Sequence, residues 1–125
     1  APPPLPVFSQ GVRKGGIVQV SGQGAIDPAT GSYGSLHDVG VQTTQTLHNV
    51  LAILESAGAT LDDVVMLRVY LTTREHFTAM NEAYTAFLNP ERLPSGILPA
   101  RTTVFVTLPL PEMLVEIDAL AVLEN

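Results

Sequence analysis

The stretch Asp38–Thr72, DVGVQTTQTLHNVLAILESAGATLDDVVMLRVYLT, decides the fold. Its first half places Leu47, Val50, Leu51 and Leu54 at the i, i+3, i+4, i+7 spacing of one helix face. Asp38 can cap that helix, because a short carboxylate can accept from the free backbone N–H groups of the first turn. Gly58 suits the position after the C-terminus, so the pattern predicts a helix ending near Ala57. Thr60–Asp63 reads as a short connection, with Asp62 and Asp63 as turn and cap residues. Val64–Thr72 is apolar and β-branched, which predicts a strand.

Working outward toward the C-terminus, Glu75–Leu88 predicts a second helix with Phe77, Met80, Tyr84 and Phe87 on one stripe. Residues 90–99 hold three prolines and a glycine and predict an irregular loop. Arg101–Leu108 and Leu114–Leu123 predict two strands, separated by a break at Pro109–Pro111. Toward the N-terminus, Ile17–Ser21 predicts a strand after a Gly15-Gly16 turn. Val7–Gln10 predicts a shorter strand, and there is room for another near Leu36. Residues 1–6 form a proline-rich lead. The whole of 1–125 reads as one α+β domain, a single mixed β-sheet with two α-helices on one face. The other sheet face then meets solvent or another subunit.

Composition narrows the function. With 125 residues and a formal net charge of −6, the chain has only six Lys and Arg. Nucleic-acid binding leaves a basic footprint that this sequence lacks. Without cysteine there is no disulfide framework and no thiolate chemistry. The lead has no basic start and no apolar core of a secretory signal, and no apolar run approaches the ~20 residues that span a bilayer. The expected location is the cytoplasm. His37, His48 and His76 show no metal-ligand spacing. Gly22 and Gly24 do not complete a dinucleotide fingerprint. Ser21 lacks the glycine two residues before it that a nucleophile elbow requires. No cofactor or metal is expected.

Three polar positions sit in apolar settings. Asn81 lies on the second helix between Phe77 and Tyr84, where an unpaired buried amide costs about 1–3 kcal/mol; a structural amide explains it as well as a functional one. Glu116 interrupts a run of Leu, Val, Ile and Ala, with Asp118 on the same strand face ~7 Å away. Burial and a like charge raise a carboxyl's pKa and fit it for proton transfer; two ordinary acids on an exposed face are the alternative. Arg101 opens a strand, and its guanidinium fork can hold a carboxylate through two hydrogen bonds. A surface ion pair is the competing explanation.

Taken in order, Phe8-Ser9-Gln10, Val20-Ser21-Gly22-Gln23, Asp62-Asp63-Val64-Val65, Val69-Tyr70-Leu71-Thr72, Met80-Asn81-Glu82, Pro99-Ala100-Arg101-Thr102 and Val115-Glu116-Ile117 resemble the reactive-intermediate deaminase (Rid, or YjgF) family. The resemblance runs from about Val7 to the end of the chain. It implies a chorismate-mutase-like fold, a homotrimer with clefts between subunits, and hydrolysis of 2-imino acids to 2-oxo acids and ammonia without metal or cofactor. By resemblance, Arg101 grips the substrate carboxylate and Glu116 positions the attacking water. Asn81, Ser21, Gly22, Thr103 and Phe8 line the cleft. Phe8 stands where tyrosine is frequent, Thr103 where cysteine is frequent, and the Pro90–Pro99 loop is longer than usual. A non-catalytic carboxylate-binding protein is the first alternative, and an endoribonuclease a remote one.

The catalytic pair poses a geometric difficulty. A simple hairpin of the last two strands pairing Leu108 with Leu114 would put Arg101 opposite Ala121, ~17 Å along the strand from Glu116. Either those strands are not hairpin neighbours in that register, or the site draws on two chains.

Overall fold

The computed structural model describes residues 1–3 and 7–124; part of the proline-rich lead lies outside them. Seven strands and two α-helices follow in the order β1 (Gly11–Lys14), β2 (Ile17–Gln23), β3 (Ile26–Asp27), β4 (Ser32–Tyr33), α1 (Val39–Ser56), β5 (Val64–Leu71), α2 (Phe77–Phe87), β6 (Ala100–Phe105) and β7 (Val115–Val122). Five strands form a mixed sheet in the order β1-β2-β7-β5-β6, and β3 pairs with β4. Only β5 and β6 run parallel, and α2 lies in the crossover that a parallel connection requires. The expected class, a mixed sheet backed by two helices, is the observed one.

Helix α1 starts where its sequence directs. The Asp38 carboxylate accepts from Val41 N at 3.0 Å. Gly58 takes φ +82° just beyond the C-terminus, a conformation that suits glycine. Leu47, Val50 and Leu54 are fully buried, while Leu51 is only half-buried. They meet Met80, Tyr84 and Phe87 of α2 and Leu67, Val69, Ile117 and Ala119 of the sheet in one core. Phe77, the fourth residue of the expected α2 stripe, remains exposed.

Helix α1 also buries polar groups, and these fix the strand that carries Glu116. Gln42 donates to Ser35 O (2.7 Å) and Glu112 O (2.9 Å) and accepts from Leu114 N (2.9 Å). Asn49 donates to Gly24 O and Ile26 O, both at 2.9 Å. Each such bond, if left unmade in the interior, costs about 1–3 kcal/mol. One helix therefore pins both the exit of β2 and the entry to β7.

Some expectations shift. Val7–Gln10 is not a strand, because the carbonyls of Ser9 and Gln10 turn toward Ser21, accepting from its Oγ and its N. The first strand starts instead at Gly11, where a Cβ would meet Ile53 Cγ2 at 2.8 Å. No strand forms at Leu36, which lies in a bend; the two-residue β4 ends before it, at Tyr33. Arg74–His76 form a 3-10 turn, so α2 begins at Phe77. Strand β6 ends at Phe105 rather than Leu108. The hairpin register fails because β5 lies between β6 and β7.

Candidate functional site

Strand register sorts the candidate residues into two groups. Arg101 pairs with Leu67, and Leu67 is fully buried beneath the helices. Cross-strand partners share a face, so Arg101 and, two residues on, Thr103 lie on the helix side. Glu116 pairs with Tyr70, three positions from Leu67. An odd offset along a strand changes face, so Glu116 lies on the open side. Arg101 and Glu116 of one chain therefore look out from opposite faces of the sheet, and the sequence-predicted pair does not share a cleft within the chain.

The helix-side group is built around Arg101. Its guanidinium carbon stands 4.7 Å from the Tyr84 ring centroid and 5.9 Å from that of Phe77. Phe77 in turn lies 6.4 Å from Phe105. Among the described residues Arg101 makes no hydrogen bond and no ion pair, so aromatic faces hold it while its donors stay free. Asn81 sits one turn after Phe77 and one before Tyr84, on the same stretch of α2. Among the described residues the Oδ1 of Asn81 and the Oγ1 of Thr103 are buried without a hydrogen-bond partner. Burial pushes the Tyr84 hydroxyl up, and the Arg101 charge opposes that shift. The arrangement suits a planar anion, which could take two donors from one guanidinium.

The open-side group lines a shallow cleft that includes Phe8, Ser21, Gly22, Arg68, Glu116 and Asp118. A β-bulge shapes it. Val20 pairs with Ala119 and Gln23 with Ile117, so Ser21 and Gly22 together oppose Asp118. Bulges re-aim side chains. Here the bulge brings Gly22 against Glu116, where a Cβ would stand 2.6 Å from Oε2 and 2.8 Å from Cδ. The Ser21 hydroxyl donates to Ser9 O at 2.5 Å, which ties the segment carrying Phe8 to the bulge. Burial first, then the Asp118 charge, pushes the Glu116 carboxyl above the usual carboxylate range.

Sequence reading missed the aromatic platform under Arg101 and the partners of Asp118. Arg68 Nε donates to Asp118 Oδ1 and Tyr70 OH to Oδ2, each at 2.8 Å. The alternation of Val64–Leu71 was the available signal, since it sets Arg68 and Tyr70 on one face of an otherwise apolar strand. Among the described residues no group of three or more His, Asp or Glu converges to hold a metal ion, and no helix is long and apolar enough to cross a membrane.

Comparison with known proteins places this geometry. The family model described as Endoribonuclease L-PSP matches residues 1–123. A 2-iminobutanoate/2-iminopropanoate deaminase of Salmonella typhimurium is 36% identical over 122 residues, covering 98% of this chain and 91% of its own. A RutC family protein of Pyrococcus horikoshii is 38% identical over 123 residues, covering 97% and 90%. Among solved structures, Escherichia coli TdcF with bound serine superposes with a TM-score of 0.90 at 34% identity, covering 99% of this chain and 94% of that one. The E. coli YjgF gene product gives 0.88 at 36%, covering 98% and 92%. Fold, length and sequence agree along nearly the whole chain, which therefore belongs to the Rid/YjgF family.

Proposed function

We propose that the chain hydrolyses 2-imino acids of the 2-iminobutanoate and 2-iminopropanoate type, at clefts formed between copies in a cytoplasmic homotrimer. The observation that carries the reading is Arg101, held on aromatic rings with its donors unpaired among the described residues. The neighbouring chain would supply the open-side group, which explains why neither group is complete alone. Relatives named as deaminases at about a third identity support the same chemistry.

In this mechanism Arg101 takes the carboxylate through its fork and sets the plane of the imine. Asn81 and Thr103 offer buried oxygens that lack partners among the described residues. A water beside Glu116 attacks the carbon of the N-protonated imine and gives a proton to the carboxylate, forming a neutral carbinolamine. Glu116 returns that proton to nitrogen, the carbinolamine hydroxyl gives its own proton to the freed carboxylate as the C–N bond breaks, and ammonia leaves with a 2-oxo acid behind. The electrophile is already reactive, so orientation and one proton carrier suffice. No step is assigned to a metal or cofactor.

The test is a coupled assay. An amino-acid oxidase generates imines from several amino acids, and semicarbazide traps what escapes hydrolysis. Wild type should lower semicarbazone formation for at least the small neutral imines; trapping at the protein-free rate across the panel would sink the deaminase reading. Glu116→Gln should lower turnover about 10²-fold or more while still binding a small carboxylate. Full activity in that variant would remove Glu116 from the reaction.

The same substitution carries a stability signature. A carboxyl raised above its unfolded value binds protons more tightly when folded, so stability falls as pH rises through that raised pKa. Below the ordinary glutamate range this cost is absent; at neutral pH it is present. Glu116→Gln should therefore melt no lower than wild type at neutral pH, and any gain should vanish in acid.

Gly22→Ala separates geometry from folding. The three heavy atoms nearest the added methyl all belong to the Glu116 side chain rather than to backbone, and Gly22 has no positive φ, so the fold should tolerate it. The carboxyl must swing aside, and a displacement of about 1 Å costs about 10²-fold. Expected are a melting temperature within a few degrees of wild type and turnover reduced by about 10- to 100-fold; unchanged turnover would refute the placement of Glu116.

A further inference from the structure

We infer that Asp118, clamped by Arg68 and Tyr70, is a positioning residue that fixes which of the two carboxyls on β7 carries the proton. The inference deepens the proposed chemistry by assigning a role to three residues that the mechanism leaves unused.

The two acids share one face of β7 at i and i+2, ~7 Å apart along the strand. Their surroundings differ sharply. Both oxygens of Asp118 are occupied, Oδ1 by Arg68 Nε and Oδ2 by the Tyr70 hydroxyl, each at 2.8 Å. Asp118 is 8% exposed, and this pair of donors fixes its plane. Glu116 has no donor among the described residues and projects into the cleft beside Gly22. When two carboxyls sit close and only one is paired with a cation, their proton affinities separate, and the unpaired one becomes the proton carrier.

Other groups around Glu116 cannot replace this asymmetry. Strand β2 meets it with Gly22, which is uncharged. Strand β4 offers the Tyr33 hydroxyl, pushed up by burial and by the charges of Glu112 and Glu116. Glu112, just before β7, adds another negative charge. Strand β5 offers Tyr70, whose hydroxyl burial and Asp118 also push up, so it stays a donor through the neutral range. Arg68 is the cation of the network, and it is spent on Asp118 through Nε. The direction of the Glu116 shift, upward from burial and then Asp118, agrees with the geometry.

The experiment follows the Glu116 carboxyl by carbon-13 NMR in glutamate-labelled protein, assigned by its disappearance in Glu116→Gln. Asp118→Asn removes the neighbouring charge and keeps the shape. Its expected effect is a Glu116 midpoint lowered by about 0.4–1.7 pH units, the range for unit charges ~7 Å apart at an effective dielectric between ~80 and ~20. Arg68→Met, at a half-exposed position, leaves Asp118 uncompensated and should move the midpoint upward. The acid limb of the kcat/KM profile should move with each midpoint. A merely structural role would change melting temperature or amplitude without moving either. An unchanged or raised midpoint in Asp118→Asn overturns the inference, as does a shifted midpoint with an unshifted limb. Should Asp118→Asn not fold, the direction in Arg68→Met decides: a rise supports the inference, and no change or a fall overturns it. The titration needs no turnover, so a wild type inactive on every imine would defeat the deaminase reading and leave this result standing.

Discussion

Arg101→Ala will lower kcat/KM for 2-imino acids by about a thousandfold while the protein stays folded. Truncating one partner of a hydrogen-bonded charge pair costs about 2–5 kcal/mol, and each 1.36 kcal/mol is tenfold in rate. The loss should be near the upper part of that range, since among the described residues Arg101 makes no other ion pair and its fork alone would orient the imine. Folding should suffer little. Arg101 sits on the sheet's edge strand, and removing its contacts with Tyr84 and Phe77 forfeits about 0.5–2 kcal/mol of cation–π attraction. Arg101→Lys should recover part of the activity but not all, because an ammonium is a point charge without the fork. The measurement is semicarbazone formation alongside a thermal melt. Wild-type protection by a folded Arg101→Ala protein would remove Arg101 from the reaction. The reverse pattern, lost activity with a melt lowered by many degrees, would make it a structural residue.

The fold was largely legible because its main elements obey simple periodicities. Asp38, the Leu47–Leu54 stripe and Gly58 mark the limits of α1 almost to the residue, and β-branched runs mark β5 and β7. The N-terminal segment was misread because Val7–Gln10 looks like a strand by composition, whereas its carbonyls are claimed by Ser21. That contact spans twelve positions and leaves no local trace. The site was legible as a set of residues but not as an arrangement. Polar side chains in apolar runs drew attention to Asn81, Arg101 and Glu116. Their division between two faces depends on β5 lying between β6 and β7, a long-range pairing that no spacing encodes. The role of Asp118 was hidden for the same reason: its two partners lie on β5, some fifty positions earlier in the chain.

That division gives the second large effect. Chains carrying Arg101→Ala and chains carrying Glu116→Gln should each be nearly inactive alone, yet regain activity when assembled together. If every cleft takes Arg101 from one copy and Glu116 from its neighbour, a cleft works only when the first copy is Glu116→Gln and the second is Arg101→Ala. Random assembly from an equal mixture satisfies both conditions in about a quarter of clefts, as expected for cyclic head-to-tail contacts. Two affinity tags would isolate mixed assemblies after co-expression, and light scattering would report their size. Each mixed trimer, of either composition, holds one working cleft in three, so recovery of about a third of wild-type activity in the isolated mixed assemblies supports a shared cleft. Two outcomes count against it: a monomer in light scattering, or verified mixed trimers no more active than their parents. In either case Arg101 and Glu116 would have to act within one chain, across a sheet whose opposite faces they occupy, and the imine mechanism would lose the geometry it requires.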